Sequence, residues 1–487
     1  MSLLIGRSML LLLITLCAYC LAQTEAECAA DSTSNSNTPA LREPILPVYS
    51  LSASVNTAIK NYPTLRAARA RVDRTGGEVS LAKTAYLPSF DVLAQEIRTT
   101  TNNVAGTIFP QPLNVIPTQT GPANDTSSFK SIFASDYGVN FSWLIYDWGQ
   151  RHSKVMVAHS QMSQANANMR LTELDIASAA ADAYLTSVET AETIKAQEAV
   201  VERMRAYNLI VHTLVNKGLR PGVDASRADA DLAAAKMSLI EAQSASQLAV
   251  VDLAETMGIA GAKINVENGP WIRRPSREIP LVAAPENHPL VLLKGAATAT
   301  AHSQVISVQK MYRPRLWFHS GIWARGSGSR VIGHPVADGV LPQNANYVAG
   351  FGIDFPFLSY YEIKARERMA RQTEADEKAN YDLAIQQITK KDARAAVLLD
   401  NARRLAEETP ALVTAAKETE LKATERYRVG LTNILEVAEA QRILQNALVK
   451  DAVAQIRIWR ALLALSYAHG DLKPFMDLAN RAEAQGK

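Results

Sequence analysis

From Arg151 to Lys217 the chain contains neither proline nor glycine. Unbroken, at about 1.5 Å of rise per residue, that run is a helix roughly 100 Å long. A compact domain cannot hold such a rod, so the fold must be elongated. The composition agrees. Among 487 residues aromatics make up only 6%, while Ala, Leu, Glu, Gln and Arg abound, as suits long helices packed through small side chains. Basic and acidic residues nearly balance, 51 against 48, which argues against a nucleic-acid binder with its basic patch.

Residues 1–22 read as a secretory signal: Arg7 supplies the positive start and Met9 to Ala22 the apolar core, with cleavage expected after Ala22. Neither Cys17, after Leu16, nor Cys20, after Tyr19, follows a small residue, which weakens a lipoprotein reading. Cleavage would leave Cys28 as the last of three cysteines, so no internal disulfide is expected. No later stretch reaches eighteen consecutive apolar residues. A membrane-embedded part would therefore have to be a closed β-barrel.

After an N-terminal extension, 23–50, the chain repeats itself. Tyr62 to Phe90 aligns with His288 to Leu316, placing Pro63 on Pro289, Tyr86 on Tyr312 and Pro88 on Pro314. At a second constant offset Gly218 falls on Gly430, Asp224 on Glu436 and Gly258 on Gly470. We read two copies of one unit, 51–270 and 271–487, the latter ending in a short tail. Each runs helix, strand pair, very long helix, glycine break, returning helix. The glycines suit helix C-termini, where a left-handed residue is needed.

The strands are expected at about 90–99, 136–147, 315–325 and 347–357. In the second, Tyr137, Val139, Phe141, Trp143 and Ile145 alternate with Gly138, Asn140, Ser142 and Leu144; in the fourth, Tyr347, Ala349, Phe351, Ile353, Phe355 and Phe357 alternate with mostly small or polar residues. Period two means one apolar and one polar face. A soluble antiparallel sheet would explain that alternation. The long helices and the aromatics gathered where strands meet helices (Tyr146, Trp148, Trp317, Phe318, Tyr360, Tyr361) favour a membrane barrel with aromatic girdles. Four strands cannot close one, so the expected class is a mixed α and β membrane protein that oligomerises, with eight strands as a dimer or twelve as a trimer. The loops 99–132 and 326–346 are rich in turn-forming residues.

This order resembles the TolC family of outer-membrane efflux proteins. The resemblance spans about Leu51 to Gly470 and rests on Asn61-Tyr62-Pro63, Tyr86-Leu87-Pro88, Trp143 to Arg151 and Tyr427 to Glu439. It implies a homotrimer with a twelve-stranded barrel in outer-membrane lipid and a periplasmic helical tunnel. It also implies partners: a periplasmic membrane-fusion adaptor and an inner-membrane pump or ABC-type type I secretion transporter. Catalysis and cofactors are not implied. The residues agree in offering neither a phosphate-binding glycine loop nor metal-ligand spacing, and His152, His159 and His212 read as polar-face residues. Two departures concern turns: Leu144 stands where the family has proline, which Pro356 keeps, and Asp147-Trp148-Gly149 replaces Asp-Gly-Gly. An exported periplasmic coiled-coil scaffold without a pore is the alternative.

The two glycine breaks are expected hairpin tips. On the resemblance, Lys217, Gly218, Leu219, Val429, Gly430 and Leu431 would dock the adaptor. Glu436 and Glu439, three apart and so neighbours on one helix face, would line the periplasmic entrance. Tyr427 and Asp224 would hold it closed, without the family's nearby arginine, which is Thr432 here. Acids favourably placed near a helix N-terminus are the plainer account of Glu436 and Glu439. Pro410, between Glu408 and Ala411, is expected to bend a continuous helix.

Overall fold

The computed structural model describes residues 47–100, 131–267, 285–328 and 339–486, plus Phe129, Gly269, Trp271 and Pro275. The leader, Cys28 and much of both inter-strand loops lie outside the described residues. In chain order the elements are β1 (Val48–Tyr49), α1 (Leu51–Asn61), α2 (Pro63–Thr84), β2 (Ser89–Thr100), β3 (Ser131–Tyr146), α3 (Gln150–Asn216), α4 (Gly222–Thr256) and β4 (Asn265–Val266). There follow α5 (Pro289–Lys310), β5 (Arg315–Ser327), β6 (Asn344–Asp354), α6 (Tyr360–Arg428), α7 (Ile434–Ala468) and α8 (Lys473–Gly486).

The break-free run is one helix, α3, of 67 residues. Its counterpart α6 has 69 and passes through Pro410 without interruption. Pro63 and Pro289 each open a helix at its first position, where a missing N–H costs nothing. The breaks at Gly218 and Gly430 are left-handed, φ 71° and 84°. At each, the next two amides turn back onto helix carbonyls: Gly218 onto Val215 and Leu219 onto Leu214, then Gly430 onto Tyr427 and Leu431 onto Arg426. This is the Schellman arrangement, which satisfies the last carbonyls of a helix.

Helix α6 packs on α7 along Ala395, Leu399, Ala402, Ala406, Val413, Ala416, Ala423 and Tyr427, all buried. The steps between them are three, four or seven residues, the period of a left-handed coiled coil, and alanine lets the helices approach closely. Leu399, Ala402 and Ala406 also join a larger core shared by α1, α3, α7 and α8. There Trp271 meets Trp459 edge-on at 5.1 Å, with Tyr184 and Phe475 beside them. Two features of this region were not expected. The tail forms α8, burying Phe475, Leu478 and Ala479, and β1 pairs parallel with β4.

The four long strands form one antiparallel sheet in the order β2-β3-β5-β6. Observed limits differ from the expected ones chiefly in β3, which begins at Ser131, and β6, which ends at Asp354 where Pro356 stops the strand. The register puts Val92, Val139, Ile322 and Tyr347 in one row across all four strands. Phe90, Phe141, Phe318 and Phe351, one from each strand, make a chain of ring contacts at 5.5, 6.0 and 5.1 Å on the same face. The opposite face carries Asp91, Asn140, His319 and Gly350. The apolar face is open: Phe351 is 73% and Tyr347 83% exposed.

The turn from β3 into α3 is left-handed twice, with Trp148 at φ 50° and Gly149 at φ 89°. Tryptophan thus adopts a conformation that ordinarily favours glycine, and its ring packs 4.8 Å from that of Tyr146.

Candidate functional site at the hairpin tips

Helices α3 and α4 form one hairpin, α6 and α7 the other, and their tips are adjacent. The first tip is closed by Lys217 to Pro221; Pro221 precedes α4 and places Asp224 in its opening turn. The second is closed by Val429 to Asn433. Asn433 caps α7, its Oδ1 accepting from the Glu436 amide at 3.1 Å, and so satisfies an amide the helix cannot.

Across the tips Tyr427 donates its hydroxyl to Asp224 Oδ2 at 2.7 Å. Both are buried, Tyr427 being only 1% exposed. Burial, then the bond to Asp224 and its charge, push the Tyr427 phenol above its ordinary range. It therefore remains a donor well beyond neutral pH. The pairing expected from the resemblance is thus formed, and within a single chain. Tyr207 lies in the same buried cluster, and burial raises its phenol too.

Thr432 carries no charge, yet a guanidinium sits beside it. Arg220, from the first tip, donates to the Tyr427 carbonyl and, at 3.4 Å, to that of Thr432. Its guanidinium carbon also lies 4.1 Å from the centre of the Tyr427 ring. Nothing in the spacing of the turn pointed to Arg220, because its partners are backbone carbonyls on the other hairpin.

The two acids are placed differently from each other. Glu436 is the third residue of α7 and accepts from Arg426 Nη1 at 3.0 Å and from the Thr432 hydroxyl. Glu439 pairs with Arg442 at 2.5 Å, and the bonds from that guanidinium hold its carboxyl below its usual range. Glu439 also borders a cavity of about 300 Å³ with Tyr207, Arg227, Asp231 and Arg442. Each acid thus has an arginine neighbour on its own chain, a pairing that their spacing alone did not reveal. Lys217, Gly218, Leu219, Val429, Gly430 and Leu431 are all exposed.

Among the described residues no group of three or more His, Cys, Asp or Glu could hold a metal. His212 instead bonds Asp229 at 2.9 Å between α3 and α4. No described helix is long and apolar enough to cross a membrane.

Residues 54–259 match the model of a family described as outer membrane efflux protein. Protein CyaE of Bordetella pertussis is 23% identical over 424 residues, covering 86% of this chain and 83% of that one. Among solved structures, the outer membrane protein VceC of Vibrio cholerae superposes with a TM-score of 0.70 at 19% identity, covering 86% of this chain and 96% of that one. The Campylobacter jejuni CmeC outer membrane channel does so at 0.70 and 16%, covering 91% and 94%. The resemblance read from the sequence is borne out, the fold is that of outer-membrane channels, and the outer membrane is where the chain resides.

Proposed function

We propose that three copies of this chain form the exit channel of a tripartite efflux pump or type I secretion system. The observation that carries the reading is the sheet. Its apolar face is exposed, its phenylalanines meet across every strand, and β2 and β6 have no further partner strand among the described residues. Unpaired strand edges are not tolerated in hydrocarbon. Three four-stranded sheets joined edge to edge leave none and give an even-stranded barrel with its apolar face to lipid.

On this reading the polar face lines the pore, and the helices continue it as a periplasmic tunnel ending at the hairpin tips. The recurrence of helix, strand pair and helical hairpin over 51–270 and 271–487 supports two repeats, each supplying half of a protomer's share. Exposed apolar Leu398, Leu405 and Leu412, at heptad spacing on α6, suit a neighbouring copy. The exposed tips would meet the adaptor, and the pump behind it would choose the cargo. Tyr427 and Asp224 would hold the closed state, with Glu436 and Glu439 at the mouth.

The scaffold alternative leaves the exposed apolar face unexplained. Heat-modifiable mobility and cross-linking of outer-membrane fractions, with conductance in planar bilayers, test the channel reading. A protein that washes off the membrane, remains monomeric and conducts nothing would sink it.

A further inference from the structure

We propose that the pore face of the sheet carries a stacking shelf for planar aromatic cargo, formed by Trp317 and His319 of β5 beside a bare lane at Gly350 and Gly352 of β6; this rests on the channel reading above. The register decides which rings face the pore. Phe318 belongs to the apolar chain of phenylalanines, so its neighbours Trp317 and His319 point to the opposite face. Trp323 shares that face, about 13 Å beyond His319 along the strand.

Each of these three rings has a glycine directly across from it on a neighbouring strand: Gly352 opposite Trp317, Gly350 opposite His319 and Gly138 opposite Trp323. Aromatic side chains can cover cross-strand glycines simply as packing. That account holds at Gly138, where an added Cβ would come within 2.8 Å of the Trp323 Cβ. It fails on β6. A Cβ at Gly350 or Gly352 would meet nothing within 4 Å, so no ring covers either position and the space above them is open. Neither has a positive φ, so the backbone does not demand glycine there either.

The lane leaves open the flank of a stacked pair. The Trp317 and His319 rings are near-parallel, 17° between planes, with centres 5.7 Å apart. A further planar ring extends such a pair favourably, and the glycine lane lets it approach the backbone without meeting a side chain. Asn140 adds a polar group at Gly321, the next pore-facing position of β5; its Oδ1 lies 2.9 Å from where a Cβ there would stand. A molecule without a flat π face gains no stacking from this arrangement. The pump would choose what enters the tunnel, and the shelf would delay its aromatic members at the exit.

The test is single-channel recording of the purified full-length protein in planar bilayers, with two probes of like charge: ethidium, which is planar and aromatic, and tetrabutylammonium, which is neither. Lys236→Ala, an exposed α4 position away from the sheet, is the control. Trp317→Ala with His319→Ala should shorten the dwell time of ethidium about tenfold, the scale of one lost stacking face, and leave that of tetrabutylammonium unchanged. Trp317→Phe with His319→Phe, which keeps two flat rings, should retain most of the dwell time. Gly350→Val with Gly352→Val should shorten it as the alanine pair does, by filling the lane with both rings intact; valine suits a strand, so assembly should persist. Ethidium dwell times equal to the control in both the alanine and the valine pairs would overturn the shelf. So would an equal loss for tetrabutylammonium, which would assign the delay to pore width. Should one pair fail to assemble, the other decides by the same ratio. A wild-type pore that conducts but does not delay ethidium overturns the shelf alone, whereas a wild type that forms no pore overturns the channel reading and the shelf with it.

Discussion

Arg151 folds back onto Asp147 at the point where β3 becomes α3, its Nε donating to Oδ2 at 3.0 Å with both side chains buried. The same guanidinium donates to the carbonyls of Ile145, at 3.1 Å, and Ala85, at 3.4 Å, and lies 4.6 Å from the centre of the Tyr86 ring. One arginine thus ties the strand end, the long helix and the chain leaving α2. Removing one partner of a buried pair strands the other charge, so Arg151→Met should cost about 3–5 kcal/mol. Denaturant unfolding followed by tryptophan fluorescence measures it. Asp147→Asn combined with Arg151→Met should recover part of the loss, and no recovery would mean the pair is not the source.

Phe351 tests the orientation of the sheet. Its ring is exposed and meets Phe318 on the apolar face. Phe351→Arg should cost about 2–4 kcal/mol of insertion if that face meets the membrane midplane, and less near its edges. Fractionation and heat-modifiable mobility report it. Normal insertion and assembly of the variant would mean that this face does not meet lipid.

The tip glycines offer a test of docking separate from folding. A Cβ at Gly218 or Gly430 would meet nothing within 4 Å, but both have positive φ. A bulky side chain therefore costs local strain, on the order of 1–2 kcal/mol, rather than a clash within the chain. Gly218→Val with Gly430→Val should keep the oligomer and abolish export. Full export by the double variant would remove the docking assignment.

His288 makes stability depend on pH. Its Nδ1 accepts from the Leu290 amide at 3.0 Å, and its Nε2 meets the Tyr467 carbonyl at 3.1 Å. Only the neutral ring with its proton on Nε2 can do both. Burial, the largest cause, lowers its pKa below the ordinary histidine value of 6.5. The unfolded chain therefore takes up this proton first on acidification. Its contribution is fully present above about pH 6.5 and is lost as pH falls toward the depressed folded value. His288→Asn, which can still cap α5, should flatten the fall in melting temperature over that interval. An unchanged profile would assign the acid sensitivity to other groups.

The acids at the second tip make the last prediction. Six carboxylates around a narrow mouth would favour cations. Their pairing with Arg426 and Arg442 reduces that effect without neutralising these exposed groups. Glu436→Gln with Glu439→Gln should lower cation preference and weaken block by trivalent cations in planar bilayers. Unchanged selectivity would place both acids outside the pore.

Most of the architecture was legible because it depends on period and punctuation. Alternation in β3 and β6, the absence of breakers over α3, and glycines at 218 and 430 each point to one local conformation. What escaped the sequence depends on long-range geometry. Trp148 tolerates a left-handed backbone because the adjoining turn holds it, and no local preference announces that. Strand β1 finds β4 across more than 200 residues, and α8 is helical beneath a core it helps to bury. Arg220 eluded the reading for the reason given by its acceptors: any residue offers a carbonyl. The acids were found by spacing, but spacing is blind to which arginine lies beside each.

Pro410 sits inside α6, 18 residues before its last residue, Arg428, or about 27 Å along the axis. Its nitrogen has no hydrogen to give the carbonyl of Ala406, so the ladder lacks a rung there. Helix α3 has no proline or glycine along its whole length. The two longest struts therefore differ in stiffness: one transmits twist throughout, whereas the other has a compliant point within reach of its tip. A torque applied at the ends of the hairpins would concentrate its bending in the second, leaving the first as the fixed jaw.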